Sequence, residues 1–129
     1  MITSLYAGIL GLIFVVLSFH VVLGRIRNKV NYGDGGLDSM THRIRIQANF
    51  AEYVPLALLM LLLYETQAGS MYMVHALGIV LVIARLLHIF GLHNDALVGR
   101  AGGTILTIGV IAVLAVLLIM KGITASQVL

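Results

Sequence analysis

The chain has 129 residues, of which 60% are apolar and only 10% are charged, and its formal net charge is +3 at pH 7. A soluble domain is typically about 45–50% apolar and about 25% charged, so this composition excludes a soluble domain and a disordered chain. The small net charge, with no basic stripe of interleaved aromatics, argues against a nucleic-acid partner. The absence of cysteine excludes disulfides, thiolate metal sites and a cysteine nucleophile, and we expect no metal site.

Four stretches are long and apolar enough to cross a membrane as helices, which takes roughly 20 residues each. In chain order, the sequence predicts these spans at about residues 3–24, 44–64, 71–90 and 101–120. Their apolar runs are continuous rather than alternating, which favours helices over a β-barrel. We therefore predict an all-α membrane protein, a single domain over residues 1–129 built as a bundle of four transmembrane helices.

The connections between the spans predict the orientation, because Lys and Arg favour the cytosolic side of a membrane. Basic residues gather at the first connection, which also contains the turn-rich residues 31–36, and Asp38 or Ser39 is expected to cap the second helix. Arg100 lies at the third connection, and the opposite side has only Lys121. We expect the first and third connections in the cytosol and both termini outside. The basic residues of the first connection are Arg25, Arg27, Lys29, Arg43 and Arg45.

Polar side chains concentrate in the half of the spans next to the first and third connections. A charge at mid-membrane costs about 2.5–3.5 kcal/mol on insertion scales and usually marks a site. Glu52 and Arg85 lie well inside their spans, at similar depth. His88 follows Arg85 by one turn, and Arg100 opens the fourth span at the same level. Residues at 3- and 4-residue spacing form one stripe on the second span: His42, Arg45, Asn49, Glu52 and Leu56.

Together these groups predict a positively biased pocket for a small anionic molecule, but each has a simpler interpretation. Glu52 and Arg85 are equally consistent with a structural ion pair that holds two helices together. The simpler interpretation of Arg43 is a topology anchor, whose long side chain reaches up to the membrane surface. The simpler interpretation of His20, near the end of the first span, is a hydrogen bond between helices. The simpler readings explain poorly why the stripe, Arg85 and Arg100 share one depth.

The stripe lies in residues 45–56, RIQANFAEYVPL, which resemble the signature of the MAPEG family (membrane-associated proteins in eicosanoid and glutathione metabolism). The shared pattern is Arg, Gln, Asn, Glu-Tyr and Pro at fixed spacing, and residues 31–36 resemble the family's small bacterial members. The resemblance implies a homotrimer of four-helix subunits, in a bacterial inner membrane. It also implies glutathione as co-substrate, bound between neighbouring subunits near the cytosolic face.

The resemblance also implies roles for individual residues. Arg100 is close to the arginine that activates the thiol in leukotriene C4 synthase, which makes it the predicted catalytic residue. His88 stands where that enzyme has a tyrosine. The residues predicted to bind glutathione are Arg45, Asn49, Glu52, Tyr53, Arg85 and His88.

The leading hypothesis is a glutathione-dependent transferase or peroxidase acting on lipophilic electrophiles that arrive through the bilayer. Arg100 would stabilise the thiolate, because a nearby cation lowers the pKa of a thiol. Glu52 would pair with the glutathione amine or with Arg85. Two alternatives stay open: a non-catalytic membrane protein that binds a small anionic ligand or partner in the same pocket, and a small multidrug-type transporter. Such transporters resemble this chain in having a membrane-embedded glutamate, but theirs lies in the first helix, which has no acid here.

Overall fold

The computed structural model of the protein describes residues 1–94 and 96–126, apart from the side chains of Leu92, His93 and Ser126. Over these residues the chain forms four helices, α1 (Thr3–Asn28), α2 (Asp38–Thr66), α3 (Met71–His93) and α4 (Leu97–Ser126). All four are long and apolar enough to cross a membrane. The predicted all-α, four-span architecture is therefore confirmed, and the chain is an integral membrane protein. The helices run past the apolar spans at most ends, because helical hydrogen bonding continues into the polar flanks.

Helix α2 is the centre of the bundle. It packs against α1, α3 and α4, whereas α1 and α4 do not pack on each other over the described residues. Much of the outer surface is apolar, as shown by Leu12, Val16 and Ile105, whose exposed fractions are 71%, 67% and 67%. So much exposed apolar surface needs lipid or another protein to cover it. The buried core consists of Tyr6, Leu10, Leu17, Ile46, Phe50, Val54, Ala57, Leu61, Tyr64, Val74, Leu77, Leu81, Val110 and Leu114.

The connection between α1 and α2 is a tight turn organised by Asp34. The Asp34 carboxylate accepts hydrogen bonds from the Gly36 backbone N–H and the Thr41 hydroxyl, both at 2.9 Å. These bonds stabilise the carboxylate form and lower the pKa of Asp34. Gly35 adopts a φ of +63°, which glycine accepts without the steric penalty of a side chain.

The expected cap of α2 is not formed. Leu37 is the residue that precedes the helix, and no side chain caps the first turn; Asp38 is already its first residue. The carboxylate of Asp34 reaches Thr41 in the first turn from outside the helix. The prediction of a cap at Asp38 or Ser39 was therefore wrong, and the side-chain bond from Thr41 to Asp34 ties the first turn of α2 to the preceding turn.

Helices α3 and α4 approach most closely at glycines. A Cβ atom added to Gly103 would lie 2.5 Å from the carbonyl oxygen of Ala84 and 2.6 Å from the backbone nitrogen of His88. A Cβ on Gly91 would overlap the backbone of Gly99 and Arg100 in the same way. No side chain fits between the two backbones here, so α4 is held at a fixed distance from α3.

Candidate functional site

A cavity of about 510 Å³ opens at the end of the bundle that carries the first and third connections. Small-molecule sites usually enclose about 300–1,000 Å³, so this cavity can hold a ligand. Among the described residues its lining comes from three helices, α2, α3 and α4, and none of it comes from α1. The lining residues are His42, Arg45 and Asn49 of α2, His88 of α3, and Arg100, Ala101, Thr104 and Ile105 of α4.

Arg85 is the largest fully buried side chain of the described residues, with an exposed fraction of 1%. Its Nη1 donates to Asn49 Oδ1 at 2.8 Å, and its Nη2 donates to the Gly103 carbonyl at 3.2 Å. A buried cation needs such partners because leaving water is costly. One guanidinium thus joins α2, α3 and α4 directly behind the cavity.

The expected ion pair between Glu52 and Arg85 is not formed. Arg85 donates to Asn49, one turn before Glu52 on α2, and Glu52 is exposed on the outside of the single chain. Similar depth in the membrane led to the prediction, but the rotation of α2 decides which side chain meets α3. That rotation turns Asn49 towards Arg85 and Glu52 away from it.

Arg85 also fixes the orientation of the Asn49 amide. A guanidinium has only donors, so the atom that faces it must be the amide oxygen. The amide NH₂ group of Asn49 is then left to donate to a ligand, since Asn49 lines the cavity. Such a donor suits a carbonyl or carboxylate oxygen.

His88 is held in a defined tautomer by α4. Its Nδ1 lies 3.1 Å from the carbonyl oxygen of Arg100 and 3.1 Å from Thr104 Oγ1, whose hydroxyl also donates to that carbonyl. A carbonyl only accepts, so Nδ1 carries the hydrogen. The imidazole is 4% exposed, and its Nε2 is buried with no hydrogen-bond partner in the described structure.

The structure brings some of the predicted site residues together and separates others. Glu52 and Tyr53 do not line the cavity; Glu52 is exposed on the outer face of α2 and Tyr53 is half-buried. Arg85 lies behind Asn49 rather than on the wall. The four that share the cavity are Arg45, Asn49, His88 and Arg100. The described residues of its lining include two arginines and no acid, so this part of the wall is electropositive.

Sequence reasoning missed several members of the site. Thr104 lies one turn after Arg100 on α4, a spacing that placed it on the same face as the predicted catalytic residue. His42 was part of the α2 stripe but not of the predicted site. The carbonyl groups of Arg100 and Gly103 give no signal in residue type, because they are backbone atoms.

Arg43, for which a topology anchor was the simpler interpretation, also makes a contact between helices. Its Nη1 donates to the carbonyl oxygen of His20 at 3.0 Å, and its side chain packs over Gly24. The bond joins α2 to α1 at the same end of the bundle as the cavity. Arg43 therefore helps to hold the first two helices in register.

Comparison with known proteins gives the relatives of this chain. The sequence profile of the MAPEG family matches residues 3–120. The inner membrane protein YecN of Escherichia coli K12 is 39% identical over 103 residues, which cover 80% of this chain and 79% of that protein. YecN of Escherichia coli O6:H1 shows the same identity and coverage. The motif at residues 45–56 and every residue that lines the cavity fall inside the matched range.

Proposed function

This chain belongs to the MAPEG family, and from that premise we propose that it is a glutathione-dependent transferase or peroxidase acting on lipophilic electrophiles in the membrane. The observation that carries the proposal is the convergence of Arg45, Asn49, His88 and Arg100 on one cavity. Glutathione presents carboxylates, peptide carbonyls and a thiol. The cavity offers two guanidinium groups, an amide donor and an imidazole acceptor.

Each cavity residue has a role that follows from its chemistry. Arg45 binds a glutathione carboxylate, for which a guanidinium is the natural bidentate partner. Asn49, held by Arg85, donates its NH₂ group to a peptide carbonyl. Arg100 lies against the thiol and stabilises the thiolate, because a nearby cation lowers the pKa of a thiol.

The electrophile reaches the thiolate from the lipid side. Ile105 lines the cavity and is 67% exposed on α4, so the cavity meets apolar surface that faces outwards. A lipophilic molecule dissolved in the bilayer therefore approaches along this wall without crossing water. In the conjugation step the thiolate forms a bond to the electrophilic carbon, and the leaving group departs with its electron pair.

Purified protein with glutathione tests the function. We expect saturable binding by calorimetry and turnover with an aryl halide or a lipid hydroperoxide. The Arg45→Ala variant should weaken binding by about 10- to 100-fold, since a hydrogen bond to a charged group contributes about 1.5–3 kcal/mol. Arg27→Ala is the matched control, because Arg27 is exposed at the same end of the bundle and does not line the cavity. Its binding should be unchanged.

The outcomes separate the functional classes. Neither binding nor turnover in the parent protein would contradict the proposal. Glutathione binding without turnover on any electrophile would favour the non-catalytic ligand-binding alternative. Proton-driven uptake in liposomes that is lost in Glu52→Gln would favour the transporter.

Glu52 supports a second part of the proposal, that the protein is a homotrimer with glutathione bound between subunits. A carboxylate within a span almost always faces a bundle interior or a water-filled cavity, because exposure to hydrocarbon is costly. Here Glu52 faces outwards, on the same face of α2 as Leu56, Leu59 and Leu63, which are 48%, 53% and 43% exposed. A neighbouring copy that covers this face of α2 removes Glu52 from lipid and places it beside a shared site.

Cysteine cross-linking tests this surface against a background free of native thiols. We expect a Leu56→Cys variant to form disulfide-linked pairs in the membrane, because the proposed trimer would bring equivalent faces of α2 together near its threefold axis. Val116→Cys, on α4 and 57% exposed, is the control and should stay uncross-linked. Native mass spectrometry of the parent protein should give three copies. A monomer in mild detergent, with no cross-linking at Leu56, would contradict the trimer.

The membrane and orientation are part of the same proposal. The relative YecN is named as an inner membrane protein of Escherichia coli, and we assign this chain to the same kind of membrane. From the Lys and Arg residues at the first and third connections we infer that the cavity faces the cytosol, where glutathione is present, and that both termini lie on the other side.

A further inference from the structure

The imidazole of His88 contains a polar atom, Nε2, that forms no hydrogen bond with the residues that the structure describes. Nε2 is buried and has no hydrogen-bond partner in the described structure, although His88 lines the cavity. Most buried polar atoms in proteins have a partner, and an exception calls for a ligand, a water molecule or a chemical role. The ring that carries this atom lines the cavity already assigned to glutathione, so Nε2 lies within one ring width of the cavity.

The other ring nitrogen determines what Nε2 can do. Nδ1 donates its hydrogen to the carbonyl of Arg100, and Thr104 Oγ1 lies at the same distance from Nδ1. In the neutral imidazole, Nε2 therefore has a free lone pair and acts only as an acceptor. A backbone carbonyl that fixes one nitrogen of a histidine sets the tautomer of the other, as in many acid–base sites.

The titratable side chains that the structure describes around this acceptor are all basic. Arg85 lies one turn before His88 on α3, Arg100 lies on α4, and α2 contributes His42 and Arg45 to the cavity wall. No described residue of α1 lines the cavity. A thiolate formed beside His88 would give these basic groups an anionic partner.

We propose that Nε2 of His88 accepts the proton of the glutathione thiol while the Arg100 guanidinium holds the thiolate. This inference rests on the proposed function and deepens it by separating two tasks, proton acceptance and charge stabilisation. Both tasks depend on one stretch of α4, because the residue that holds the thiolate also fixes the His88 tautomer through its backbone carbonyl.

The proton that leaves the thiol stays within the site during this step. The S–H bond breaks, its electron pair stays on sulfur, and an N–H bond forms at Nε2, so the net charge of the site is unchanged. With an α,β-unsaturated carbonyl compound as electrophile, the thiolate adds to the β-carbon. The imidazolium then returns the proton to the α-carbon, and His88 is ready for the next turnover.

The His88→Asn variant tests the proposal, because an asparagine amide can keep the donor at the position of Nδ1 while Nε2 is removed. We expect kcat/KM at neutral pH to fall by about 10²-fold, the lower end for general-base catalysis. In this variant kcat/KM should rise with pH, because without His88 the thiol must lose its proton to the solvent. The parent protein should show a flat profile in the same range. Binding of S-methylglutathione, which has no thiol proton, should be unchanged.

Other results would overturn the proposal. An unchanged kcat/KM and pH profile in His88→Asn would remove His88 from the proton transfer, as would a parallel loss of S-methylglutathione binding, which indicates a structural role. If His88→Asn does not fold, His88→Gln is measured in the same way, since its amide can hydrogen-bond the thiol but cannot take its proton. A parent protein that binds no glutathione would instead defeat the proposed function itself.

Discussion

Replacing Arg100 with alanine is expected to lower kcat by about 10²- to 10³-fold, the loss found when one stabilising donor is removed from a reacting anion. Arg100 is exposed at the start of α4 and lines the cavity, so its side chain is free to meet a ligand. Alanine removes the guanidinium but keeps the backbone carbonyl that accepts the hydrogen bond from His88. The variant should therefore fold normally and still bind glutathione through Arg45 and Asn49.

Kinetics and calorimetry on the same preparation check this expectation. Arg100→Lys should recover part of the activity, because an ammonium keeps the charge but not the planar geometry of the guanidinium. Arg27→Ala should behave like the parent protein, since Arg27 is exposed at the end of α1 and does not line the cavity. Full activity in Arg100→Ala would show that another group stabilises the thiolate.

Replacing Gly103 with alanine is expected to destabilise the protein by about 1–3 kcal/mol, the usual cost of forcing extra volume into a packed interior. The new methyl group would lie 2.5 Å from the Ala84 carbonyl oxygen and 2.7 Å from the His88 Cβ. Backbone atoms cannot swing aside as a flexible side chain can, so α4 must move away from α3. That movement stretches the bond from Arg85 to the Gly103 carbonyl and loosens Asn49 on the other side of the guanidinium.

Thermal unfolding in detergent and glutathione affinity should therefore fall together in Gly103→Ala. The neighbouring Gly102→Ala is the matched control, because a Cβ at Gly102 meets no atom within 4 Å. Alanine favours a helix over glycine by roughly 1 kcal/mol, so this control should be neutral or slightly stabilising. Equal effects of the two substitutions would show that helix propensity, and not the close approach of α3 and α4, governs this position.

Much of the fold could be predicted from the sequence, because the physical requirement for crossing a bilayer acts on composition. Continuous apolar runs predicted all four helices, and the glycines at residues 31–36 predicted the turn between α1 and α2. The start of α2 was less predictable. Asp34, in the turn, binds the Thr41 hydroxyl in the first turn of α2, and neither Asp38 nor Ser39 caps the helix.

The candidate site was predictable only in part. Spacing on α2 placed Arg45 and Asn49 on one face, and both line the cavity. Depth along the membrane suggested Glu52 as the partner of Arg85. Depth does not tell how a helix is rotated about its axis, and Asn49 is the residue that accepts the hydrogen bond from Arg85. Arg85 and His88 each also bond to a backbone carbonyl of α4, which no pattern of side chains reveals.

Arg85 connects three helices through one guanidinium, and this limits how the site can evolve. Any residue that replaces Asn49 must offer an acceptor to the guanidinium, and any residue that replaces Arg85 must offer a donor, or the Asn49 amide is free to turn over. The Gly103 carbonyl must stay within reach as well, which keeps that position small. Mutations at these three positions are therefore epistatic: a change at one is tolerated when a compensating change accompanies it, and the ligand preference of the cavity shifts through paired substitutions.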